Sequence, residues 1–63
     1  PARRDAGRRL AEKWIAVGTE RLGAGDLGFA TEALDQARSL DAQAGGFAEF
    51  EQRVQSATAA RRP

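Results

Sequence analysis

The apolar and polar positions divide the chain into three helical stretches separated by two glycine-bearing breaks. The first runs from about Asp5 or Arg8 to Leu22, with apolar residues in two adjoining rows. Leu10, Trp14, Val17 and Gly18 form one row, and Ala11, Ile15 and Leu22 form the other. A band this wide suits a helix contacted from two sides. Gly23-Ala24-Gly25-Asp26 then breaks the pattern: glycine supplies a left-handed helix end, and Asp26 is placed to cap the next start. The second stretch, about Leu27 to Leu40, aligns Leu27, Ala30, Leu34, Ala37 and Leu40. Its small residues Ala30, Ala33 and Ala37, with Gly18 on the first helix, let two backbones approach closely. So short a connection joins antiparallel neighbours, so the first two helices should form a hairpin. After Asp41 to Gly46, Phe47, Phe50, Val54 and Ala57 recur at i, i+3, i+7 and i+10, opposite Glu49, Gln52, Arg53, Gln55 and Ser56. That pattern predicts a one-sided amphipathic outer helix from about Phe47 to Ala59, with Ala60 to Pro63 as a frayed tail.

Composition supports an all-α reading, because Ala, Leu, Glu, Gln and Arg dominate and β-branched residues are few. At 63 residues the chain holds one domain with a small core. It has no Cys and no His, so disulfides, thiolate metal sites and imidazole ligands are excluded as staples. Helix packing, or neighbours in a longer protein, must supply the stability. The opening Pro1 and the arginines at both ends read as a piece of something larger. No apolar run approaches the roughly 20 residues needed to span a bilayer.

The net charge of +1 conceals a gradient. Residues 1–21 hold six cationic side chains against three acidic ones, residues 22–60 two against six, and Arg61 and Arg62 close the chain. The acidic middle breaks any continuous basic stripe. A nucleic-acid element built on Arg3, Arg4, Arg8, Arg9, Arg61 and Arg62 is therefore the weakest of the functional readings.

Trp14, Gly18, the Gly25-Asp26 turn, Ala30, Leu34, Ala37 and the Leu40-Asp41 ending fall at the spacing of a tetratricopeptide repeat, which this stretch resembles. The resemblance covers Ala11 to Ala44. It implies an antiparallel helix-turn-helix over residues 11–44, with residues 1–10 extending its first helix, residues 47–60 forming a C-terminal capping helix and residues 61–63 a tail. The sequence departs from the family at Arg21, where a tyrosine is usual, at Val17 in place of Leu, and at Ala42 in place of the closing Pro.

Catalytic chemistry has little to work with. Proton transfer and nucleophilic catalysis need positioned groups beside a base, and without His, Cys or Tyr only carboxylates, Lys13 and a few hydroxyls remain. The chain reads as non-enzymatic, with no cofactor and no metal. Gly23-Ala24-Gly25 precedes a helix, but no strand leads into it, and Asp26 puts negative charge where an anion would sit.

The reading is a protein-binding or scaffolding module, whose partner is a protein, a peptide or an adjacent helical repeat. The alternative is a structural cap on a longer helical array. The resemblance assigns the inner groove to the first helix, nominating Glu12, Ile15, Ala16, Thr19, Leu22 and Gly23. Ile15, Ala16 and Thr19 stand where carboxylate-gripping relatives carry lysine and asparagines, which favours an apolar contact. Within the chain, Leu10, Trp14, Val17 and Gly18 account for packing within the hairpin and against the third helix, which leaves Ile15 and Leu22 as the expected open surface. Phe29 lies off the Leu27-Ala30-Leu34 row and either packs under the third helix or over the turn, or anchors a partner.

Overall fold

The computed structural model describes residues 2–61, with side chains from Ala6 onward. Three α-helices follow in order: α1 (Ala2–Gly23), α2 (Leu27–Asp41) and α3 (Phe47–Arg61). All regular structure among the described residues is helical. The fold class is therefore all-α. Two boundaries lie beyond the sequence expectation. Helix α1 begins at Ala2, so Asp5 falls within its first turn, and α3 continues through Ala60 to Arg61 instead of fraying. The side chains of Arg3, Arg4, Asp5 and Arg62 lie outside the described residues.

The first turn forms as its residues dictate. Gly25 adopts φ +89°, a left-handed conformation that glycine reaches without steric cost. Its amide donates to the Leu22 carbonyl at 3.0 Å, and the Asp26 amide donates to the Arg21 carbonyl at 2.9 Å. This pair of bonds is a Schellman termination. Asp26 then serves the next helix, its side chain accepting from the Phe29 amide at 3.1 Å. One residue thus closes α1 and caps α2. At the second turn Asp41 Oδ1 accepts from the Gln43 amide, and Gly46, at φ +85°, leads into α3.

The core is the seam of small residues between α1 and α2, filled from one side by α3. Ala11, Ala30, Ala33 and Ala37 are wholly buried, with Ile15, Leu34, Ala44, Phe47, Phe50 and Val54 around them. Phe50 is the wedge. A methyl group on Gly18 would collide with the Phe50 ring and lie only 2.8 Å from Ala33 Cβ, so α3 can insert its ring only because α1 has no side chain there.

Gly18→Ala is a direct test. Helix propensity alone would raise stability by up to about 1 kcal/mol. Overpacking against Phe50 and Ala33 opposes it with about 1–3 kcal/mol. The expected outcome is a lower melting midpoint. A higher midpoint would mean that the Phe50 ring moves aside without loss.

Exposed contacts tie the elements at their margins. Arg38 bridges Asp35 on its own helix and Glu51 on α3, with its guanidinium 5.7 Å from the Phe47 ring centroid. Arg61 donates to the Gly25 carbonyl at 3.1 Å, bringing the end of α3 onto the first turn. Solvent-exposed pairs of this kind contribute little, about 0–1 kcal/mol each.

Candidate apolar docking surface

The structure turns the second row of α1 inward and, of the first row, buries only Gly18. Ile15 is 7% exposed and belongs to the core, whereas Leu10 and Val17 are 50% and 40% exposed. Ala11, Ile15, Gly18 and Leu22 line the inward stripe, and Trp14 lies about 100° around the helix from Ile15, at the stripe's edge. Leu10 and Val17 stand farther round still, on the flank away from Ile15. The expectation that Ile15 and Leu22 form an open surface is therefore corrected: Ile15 is buried and Leu22 is half-buried against the core. Trp14, expected in the core, is half-buried, and Leu40, expected on the α2 core stripe, is 38% exposed.

Bulk misled the sequence reading. Leu10, Trp14 and Val17 offer the larger apolar volume, which favours them as core. The seam instead joins Ala11 and Ile15 of the second row with Gly18 of the first, because Ala11 and Gly18 admit the alanines of α2 and the ring of Phe50. A signal was present, since Ala11, Ile15, Gly18 and Leu22 follow an i, i+4, i+7, i+11 progression that holds one helical face.

The nominated residues separate onto two flanks of the hairpin. Ile15 and Thr19 face α3, sharing a small depression with Gly46, Glu49, Phe50 and Arg53. Leu22 borders α3 at Glu49, Gln52 and Arg53. Thr19 donates its hydroxyl to the Ile15 carbonyl at 2.7 Å, within its own helix. Glu12 lies beside the second turn, where a methyl group on Gly45 would sit 3.5 Å from its Oε2. Ile15, Thr19 and Leu22 thus border α3, and Glu12 stands exposed beside the turn that leads into it. Phe29 alone lies on the other side, half-buried, its ring centroid 6.4 Å from that of Trp14. It packs across the hairpin onto α1, not under α3.

That other flank carries the exposed large apolar side chains Leu10 and Val17. Leu10, Lys13, Trp14 and Val17 line a shallow depression of about 300 Å³. Phe29 continues the surface from Trp14. Leu40 lies beside its far end, since a methyl group on Gly7, one turn before Leu10, would come 3.4 Å from the Leu40 carbonyl. Arg21 stacks over Phe29, with its guanidinium carbon 5.5 Å from the ring centroid. Helix α3 occupies the opposite flank. Nothing among the described residues covers the strip.

No helix of the described residues is long and apolar enough to cross a membrane. No protein-family model, curated protein or solved structure matches this chain.

Proposed function

We propose that the chain is a protein-binding or scaffolding module that acts by surface complementarity, and that the Leu10-Trp14-Val17 strip is where it meets a partner helix or an adjacent helical repeat. The exposure of Leu10 and Val17 beside a half-buried Trp14 carries this reading. Three large apolar side chains at i, i+4 and i+7 on an uncovered face are the anchors of helix-on-helix recognition, and contiguous patches of this kind mark interaction sites. Of the residues nominated from the sequence, Phe29 remains in the site because it extends the strip through Trp14.

The tetratricopeptide-like register is part of the proposal. Gly18, Ala30 and Ala37 occupy the close-contact positions that such a repeat needs, and all three are buried. The polar outer side of α3, with Glu49, Gln52, Arg53, Gln55 and Ser56, supports a second reading in which α3 caps a helical array while the strip stacks on a neighbouring repeat.

Selection of random helical peptides on the immobilised chain tests the assignment. Peptides enriched on the native chain should lose at least about tenfold in affinity for a Leu10→Ser, Val17→Ser variant. That variant should keep its helicity and lose little stability, because exposed positions outside the core tolerate truncation. Selected peptides that bind the variant equally well would place the interaction surface elsewhere.

A further inference from the structure

Resting on that reading of the strip, we propose that its occupant is a second copy of the chain, with α1 packed antiparallel on α1 about a two-fold axis beside Val17. Area is the first reason. The chain has a mass of 6.7 kDa and exposes 4581 Å² to solvent. A compact monomer of that mass exposes about 3,900 Å², so the surplus is about 700 Å². One partner of a specific interface gives up about 800 Å². Leu10, Val17 and Leu40 are the large apolar side chains left exposed, the first two on the strip and Leu40 beside its end.

The strip is also complementary to itself. Along α1, at 3.6 residues per turn, Leu10 and Val17 mark its midline. Lys13 and Glu20 fall on one side of that line, and Trp14 and Arg21 on the other, toward Phe29 of α2. A two-fold axis perpendicular to α1 sets each side against the same side of the copy, running the other way. Lys13 and Glu20 are seven residues apart, about 10 Å along the helix, and their midpoint lies within one residue of Val17. Rotation about that point places Lys13 opposite Glu20 of the copy, and Glu20 opposite Lys13. Neither takes part in the ion pairs among the described residues, which join Arg38 to Asp35 and to Glu51. On the other side Phe29 packs on Trp14 and lies beneath the Arg21 guanidinium, so the Trp14 and Phe29 rings straddle the same level. The one rotation therefore sets Trp14 against Phe29 of the copy and Val17 against Val17.

Other registers are worse. Parallel packing, or an axis halfway between Leu10 and Val17, brings Lys13 onto Lys13, and like charges at an interface disfavour it. In the antiparallel register Glu32, exposed at the rim of α2 three residues past Phe29, approaches its own copy. That single contact between exposed charges costs little and is set against two opposite-charge pairs and the apolar contact.

Sedimentation equilibrium of the chain at low salt reads the association, and Trp14, the only tryptophan, reports occupancy of the strip. The native chain should dimerise, with a blue shift of Trp14 emission over the same concentration range. Lys13→Glu and Glu20→Lys each put like charges into both pairs, and each should weaken dimerisation about tenfold or more. An equimolar mixture of these two variants should form a heterodimer. The double swap Lys13→Glu, Glu20→Lys keeps the native net charge and should restore self-association to within about threefold of the native chain. Both positions are exposed, so the fold is retained, and circular dichroism checks it.

Dimers that survive Lys13→Glu, or a double swap that stays monomeric, overturn the antiparallel register and the proposal with it. Dimers untouched by Leu10→Ser, Val17→Ser place the self-contact on another face and overturn it as well. A native chain that stays monomeric up to about 1 mM, while helical peptides bind it through Leu10 and Val17, overturns the second copy and leaves the docking strip standing. Monomers that capture no such peptide overturn both.

Discussion

Phe50→Ala should remove most of the stability of this fold. Phe50 is 1% exposed and is the largest fully buried side chain among the described residues. Its ring fills the space left by Gly18 and touches the Ala33 side of the seam, so truncation leaves a cavity bordered by two backbones that are already in close contact. Such a change costs about 3–5 kcal/mol. A chain of 63 residues has about 3–9 kcal/mol in total, so the variant should be largely unfolded or should release α3. Thermal melting followed by circular dichroism separates these outcomes, because release of α3 leaves the α1–α2 hairpin helical and loss of the whole fold does not. A midpoint within a few degrees of the native one would remove Phe50 from the centre of the core. Gly18→Ala combined with Phe50→Leu should cost less than the sum of the single changes, because the two positions share one contact.

The second large effect separates the two rows of α1. Ile15→Ala is expected to cost about 2–4 kcal/mol, since Ile15 is buried in the cluster with Phe50 on one side and the alanines of α2 on the other. Val17→Ala, two residues on, should stay within about 0.5 kcal/mol, because Val17 faces solvent. For a domain of this size each kcal/mol moves the melting midpoint by about 4–8 °C, so the two variants differ well beyond measurement error. The contrast is informative in both directions. If Val17→Ala were the damaging change, the larger apolar row would be the core after all, and the docking strip would disappear with it.

The chain alone determined the elements and their punctuation, because those signals are local. Glycine and aspartate at the first turn specify a Schellman ending and a cap through their own backbone freedom and side-chain reach, and the structure places both there. The Phe47, Phe50 and Val54 spacing likewise specifies the buried side of α3 without reference to anything else. Antiparallel pairing of α1 and α2 follows from a three-residue connection. For α1 the pattern was insufficient, since two adjoining apolar rows satisfy the same periodicity. Only tertiary packing chose between them. Ala11 of one row and Gly18 of the other let α2 and the Phe50 ring approach within contact distance, and close packing over that seam outweighed the greater bulk of Leu10, Trp14 and Val17. The candidate site was legible in the sequence only as an excess of apolar residues on α1. Which of them face water depends on where α3 settles, and that is fixed by residues more than thirty positions away along the chain.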